Sequence, residues 1–193
     1  SFVCDLSSMN SLYFDEWKDT DAVELLVYFL DAVMTEFINK AKKIKYMHKA
    51  VRFAERHRAL GIGQIGWHSY LQSKMIPFES MEAKLLNVKI AKTIKEQAYA
   101  ASAKVALDYG EPEVCKGYGR RNSTLIAIAP TKSSAFIIGQ SSEAIEPERT
   151  NYFIKDLQKG KHTVKNRFLE KLLKEKDMDN EEIWLDILKH GGS

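Results

Sequence analysis

The sequence has little cysteine, little proline and no long hydrophobic run, and its charges nearly cancel. Its 193 residues include two cysteines, Cys4 and Cys115. Two are too few for a disulfide framework, which places the chain in a reducing, cytoplasmic setting. The four prolines fall at 77, 112, 130 and 147, where each reads as a break, a stop or a turn. No apolar stretch is long enough to cross a bilayer and no signal peptide is visible, which argues against a membrane role. With 29 Lys and Arg against 26 Asp and Glu, the net charge of +3 is too small to imply a nucleic-acid partner. What remains, 45% hydrophobic and 28% charged, is the composition of a soluble globular protein with a core and one or two domains.

Taken in order, Phe2 to Leu6 suits a strand carrying Cys4, and Ser7, Ser8, Asn10 and Ser11 favour a turn after it. Val23, Leu26, Val27, Leu30, Val33, Met34, Phe37 and Ile38 recur at helical spacing, predicting an amphipathic helix capped at Asp19, Thr20 or Asp21. The lysine-rich run from Lys40 to Lys49 reads as its solvated continuation. Ser80 caps a predicted long helix from Met81 to Asp108, stopped by Gly110 and Pro112. Ser123 to Ala129 is compact and β-branched, as a buried strand would be. Val164 to Lys174 reads as a helix. A last helix has Asp179 and Glu182 as a capping box and Ile183, Trp184, Ile187 and Leu188 as its buried face.

Gly61-Ile62-Gly63-Gln64-Ile65-Gly66 satisfies a dinucleotide-binding pattern, but no acidic residue closes a βαβ unit and Pro77 interrupts the downstream helix. The glycines are better read as permitting close approach of backbone layers. No histidine pairs with another at three or four residues, so a zinc site is not expected. Glu143, Glu146 and Glu148 flank a proline turn and read as solvent-facing, and Arg120 and Arg121 as a loop surface.

Pro130-Thr131-Lys132-Ser133-Ser134-Ala135 lies between the apolar run and a short helix ending at Gly139. Unpaired helix-start N–H groups, hydroxyls of Thr131, Ser133 and Ser134, and the charge of Lys132 could hold an anion. An ordinary capped strand-to-helix turn would look the same.

Three stretches together resemble the large (alpha) subunit of class I ribonucleoside-diphosphate reductase. They are Cys4 to Asn10, the Arg58-Ala59-Leu60-Gly61-Ile62-Gly63 segment, and the Pro130 loop running on to Ile145-Glu146-Pro147. The resemblance implies an α/β fold, roughly the second half of a ten-stranded barrel with helices outside. It implies barrel for residues 1–151 and an incomplete helical extension for 152–193. It makes Cys4 one of a pair of thiols that reduce the substrate and close as a disulfide. It makes Thr131, Lys132, Ser133 and Ser134 the loop that holds the substrate diphosphate. Read from its residues alone, a cysteine in an apolar strand is otherwise a small buried hydrophobe.

The same resemblance shows what is missing: the radical-bearing cysteine, the redox partner of Cys4, the C-terminal cysteine pair and the paired tyrosines. Cys115 sits in a loop without a family motif and reads as structural or exposed. The chain is therefore expected to be a piece of something longer, inactive alone, binding no cofactor itself. Its implied partners are the rest of the large subunit, a metal-containing small (beta) subunit that supplies the radical, a thioredoxin- or glutaredoxin-type reductant and a ribonucleoside diphosphate. A phosphate-binding module and a purely structural segment are the competing readings.

Overall fold

A computed structural model describes residues 2–139, 141–157 and 160–192. Strand β1 (Asp5–Asn10) leads through a 3-10 turn at Ser11–Tyr13 into the single-turn α1 (Phe14–Trp17). Helix α2 (Ala22–Ala41) and helix α3 (His48–His57) precede β2 (Leu60–Ile65). Then come α4 (Trp67–Ser73), the 29-residue α5 (Met81–Tyr109) and α6 (Lys132–Ile137). A hairpin of β3 (Tyr152–Leu157) and β4 (Gly160–Lys165) is followed by α7 (Arg167–Glu175) and α8 (Glu181–Lys189).

β1 and β2 run parallel, with Asp5 opposite Leu60 and Asn10 opposite Ile65. A third segment joins β2 on its other side through one parallel bridge, Ile62 to Ile126. The N–H groups of Leu60 and Ile62 donate to the carbonyls of Thr124 and Leu125, and that of Ala127 to Ile62. The expected strand at 123–129 is thus a partial one. Only Leu125 and Ala129 along it are buried, while Ile126 and Ile128 face outward. Among the described residues the strands form this parallel layer and the hairpin, and no barrel closes.

The core lies under the layer. Leu60 and Ile62 of β2, Val23, Val27 and Leu30 of α2, and Ile90, Ile94, Ala98, Ala101 and Val105 of α5 form one buried cluster with Leu125. Ala98 and Ala101 put little side chain between α5 and the elements packed on it. The Ser80 hydroxyl accepts the N–H of Ala83, and Gly110 follows the last turn at φ 79°.

Several expectations change. Ser7 and Ser8 belong to β1, so the turn begins only at Ser11. The lysine-rich run does not continue α2. The chain turns at Lys42–Met47, with Tyr46 at φ 72°, and restarts as α3. Val164 is in β4, and α7 starts after Asn166, whose side chain accepts the N–H groups of Phe168 and Leu169. The segment from 152 therefore opens with a hairpin, not with helices. At α8 the cap is Asn180, whose Oδ1 accepts from the Ile183 N–H, while Asp179 accepts from the indole N–H of Trp184. Trp184 is buried, but Leu188 is 37% exposed.

Candidate active site

Cys4 stands just before β1, half-buried, with its thiol against β2. A Cβ placed on Gly61 would lie 3.5 Å from the Cys4 sulfur, 2.6 Å from Leu6 Cδ2 and 2.7 Å from Ala127 Cβ. One placed on Gly63 would overlap the carbonyl oxygen of Ala127. The glycines are therefore spacers that let two chain segments close on β2, and the close-approach reading is the one the structure supports. Burial pushes the Cys4 thiol above its ordinary value, and the neighbouring Asp5 charge adds to this against a hydrogen bond with Thr124. Cys4 is thus held as the protonated thiol at neutral pH.

Beneath this layer sits a charged knot. Asp31 of α2 accepts from Arg58 Nε and Nη2 at 2.7 and 2.9 Å, from Arg121 Nε at 2.8 Å and from Asn122 Nδ2 at 3.1 Å. Asn122 also donates to the Arg58 carbonyl, and Arg58 adopts a left-handed φ of 44° at the end of α3. Burial raises the Asp31 carboxyl, but hydrogen bonds and charge from Arg58 and Arg121 outweigh it and hold it below the usual range. Arg121 is consequently no loop-surface residue. Its guanidinium is largely enclosed and also donates to the carbonyls of Tyr109 and Gly110.

The Thr131–Ser134 loop follows the third segment and opens α6. Lys132, Ser133 and Ser134 are exposed and Thr131 is buried. The Thr131 hydroxyl accepts the N–H of Ala144 at 2.7 Å, and its carbonyl accepts the N–H of Ala135. Three members of the loop thus face solvent, and the fourth is spoken for on its acceptor side. Glu148 is not solvent-facing. It is half-buried, its carboxyl raised by burial, and it accepts from Asn166 Nδ2 at 2.7 Å. Cys115 is buried beside Arg120, in keeping with a structural role.

Sequence reading missed Ser69, His68, Ser142, Asp31 and Asn122. Ser69 and Ser142 exchange N–H donors with each other's hydroxyls at 3.1 and 2.9 Å, across 73 residues. His68 Nδ1 accepts the Glu148 N–H at 3.0 Å. No local signal marks any of these pairs.

The ribonucleotide reductase barrel-domain family matches residues 1–118 and 112–192. The chain belongs to that family. Among reductase relatives, it is 40% identical over 192 residues to a putative ribonucleoside-diphosphate reductase large subunit of Frog virus 3, covering 99% of this chain and 34% of that one. To the ribonucleoside-diphosphate reductase large subunit of Invertebrate iridescent virus 6 it is 39% identical over 194 residues, covering 99% of this chain and 20% of that one. Its structure resembles that of an Actinobacillus ureae class Id ribonucleotide reductase alpha subunit. That match has a TM-score of 0.93 at 56% identity, covering 100% of this chain and 35% of the other. The chain thus spans about a third or less of the length of these reductase relatives.

Proposed function

We propose that the chain is part of the catalytic large subunit of a ribonucleoside-diphosphate reductase, acting in the cytoplasm to make deoxyribonucleotides. In this reading residues 1–151 contribute to a ten-stranded barrel and residues 152–193 form an extension. The remainder of the subunit supplies the other strands, a metal-containing small subunit supplies the radical, and a thioredoxin- or glutaredoxin-type protein reopens the disulfide. The observation that carries the reading is Cys4, a protonated thiol set over the bare backbone of Gly61 in a chain of the reductase barrel family.

The chemistry asked of Cys4 is half of a two-thiol reduction. The 2′ carbon of the ribose exchanges its C–OH bond for C–H. The hydroxyl leaves as water, and two thiols give up two electrons and two protons as they join in a disulfide. Cys4 provides one of those thiols, and its partner comes from the rest of the subunit. Its raised pKa suits a group that must carry its proton until the reaction uses it. Thr131, Lys132, Ser133 and Ser134 take the diphosphate, through backbone N–H groups and hydroxyls at the start of α6, where Lys132, Ser133 and Ser134 are exposed, and through the Lys132 charge.

The deciding experiment is turnover of the full large subunit, paired with its small subunit, using a dithiol reductant. Cys4→Ser abolishes multiple turnover and Cys115→Ser leaves it nearly intact. Equal loss from both, or from neither, removes Cys4 from the mechanism.

A further inference from the structure

We propose that Ser69, Ser142 and Ala144 form a clasp that positions the Thr131–Ser134 loop relative to β2, against which the Cys4 thiol lies, and through that placement sets the affinity for the diphosphate. The inference rests on the reading of that loop as the diphosphate holder.

The first turn of any helix has N–H groups without partners inside it. At α4 these donors are taken by the loop beyond α6. The N–H of Gly66 donates to the Ser142 carbonyl at 2.9 Å, that of Trp67 to the Ala144 carbonyl at 3.4 Å, and that of Ser69 to the Ser142 hydroxyl. The Ser142 N–H returns a bond to the Ser69 hydroxyl, and the neighbouring His68 takes the Glu148 N–H. Ser69 and Ser142 are 0% and 2% exposed, so water does not compete for these groups. The helix start directly after β2 is thereby committed to holding residues 142–148.

Ala144 transmits that hold to the diphosphate loop. Its φ of 41° lies in the left-handed region that a residue with a Cβ seldom adopts. Its carbonyl is fixed by Trp67 and its N–H by the Thr131 hydroxyl. A backbone held on both sides in an unfavourable conformation is a position that its surroundings over-determine. Since the acceptor side of the Thr131 hydroxyl faces Ala144, its own proton remains for another acceptor. The sequence of contacts therefore runs from β2, through α4 and Ser69, to Ser142, Ala144 and Thr131. Ser69 and Ser142 reach the ligand only through this chain and are positioning residues.

The test is steady-state kinetics of the full large subunit with its small subunit and a ribonucleoside diphosphate. Ser69→Ala raises KM about tenfold while kcat stays within about twofold, since ground-state and transition-state binding are lost together. Amide exchange at Ser142 and Ala144 accelerates in the same variant. If Ser69→Ala does not fold, Ser142→Ala carries the same expectation from the opposite side of the pair. A folded variant with unchanged KM overturns the clasp, as does one that loses kcat alone. Ser134→Pro, measured alongside, separates the two levels. Its strong loss of diphosphate binding with Ser69→Ala unaffected removes the clasp and keeps the loop. Unimpaired binding by Ser134→Pro removes the loop itself.

Discussion

Two sets of buried polar contacts hold the parallel layer, one beneath it and one beyond the end of β2, and they are built from different chemistry. Beneath, the Asp31 knot joins α2, the approach to β2 and the start of the third segment with one carboxylate and two guanidinium groups. Beyond, the clasp joins α4 to the 142–148 loop with hydroxyls and backbone amides. The knot is anchored on α2, a long helix of the main core, and its parts are far apart in sequence, 90 residues separating Asp31 from Arg121. A buried ion cluster is costly to break because the survivors remain charged and enclosed. A hydroxyl pair is cheaper to break, because each lost bond leaves only a neutral group behind. The foundation is thus made of contacts that fail all at once, and the site end of contacts that can be adjusted one at a time.

The contrast is broken most directly by Asp31→Ala. It leaves Arg58 and Arg121 buried without their common partner, and we expect a loss of about 3–5 kcal/mol in denaturant unfolding of the full subunit. A loss below about 1 kcal/mol would show that Arg58 and Arg121 find other partners and that the knot is not the foundation.

Acid sharpens the same contrast. The folded carboxyl of Asp31 titrates below its unfolded value of about 3.9, so its contribution is present above that pH and is lost as pH falls through the folded value. At the clasp the hydroxyls do not titrate, but burial lowers the imidazole of His68. Its contribution is present above about 6.5, the unfolded value, and is lost as pH falls through the lowered folded one. As pH falls, protection against amide exchange should therefore be lost at Glu148 at a higher pH than at Leu60, whose N–H donates to the Thr124 carbonyl two residues from Arg58 and Asn122. Simultaneous loss of protection at both would join the two sets into one.

The smallest effect belongs to Thr131→Val, which keeps the shape but removes the acceptor for the Ala144 N–H. We expect a loss of about 1–3 kcal/mol of stability, with Thr131→Ser recovering most of it, by thermal unfolding. Equal behaviour of Val and Ser would mean that this hydroxyl does not hold the loop.

The parts of the fold legible in the sequence are those whose causes are local. Ser80 and Gly110 bound α5 because a cap and a stop act within a few residues. The crowding around Gly61 and Gly63 is legible because alternate glycines in an apolar run mark a strand that another backbone approaches closely. The break between α2 and α3 is hidden, since lysines suit a solvated helix as well as a turn and Tyr46 gives no sign of its positive φ. Val164 reads as part of α7 because the apolar spacing of Phe168 and Leu169 extends backwards over it, although Asn166 is the cap. Arg121 reads as a surface residue because Asp31 is distant in the chain. At the proposed site, Cys4 and the Pro130 loop stand out only through the resemblance to the family's motifs. Ser69 and Ser142, two unremarkable serines, are paired only by the fold.

The bare face of β2 carries a consequence for which substitutions the strand can absorb. Along Leu60 and Ile62 the side chains enter a core shared with α2 and α5, where exchange among aliphatic residues can be accommodated by repacking. Along Gly61 and Gly63 no volume is available at all, and the obstacles include the Ala127 backbone, which cannot rotate aside. A single methyl group at Gly61 would press on Leu6 Cδ2 at 2.6 Å and on Ala127 Cβ at 2.7 Å, while the Cys4 sulfur at 3.5 Å would stay in ordinary contact. The same strand therefore tolerates change on one face and, on the other, converts the smallest addition into pressure on the two chain segments that flank it.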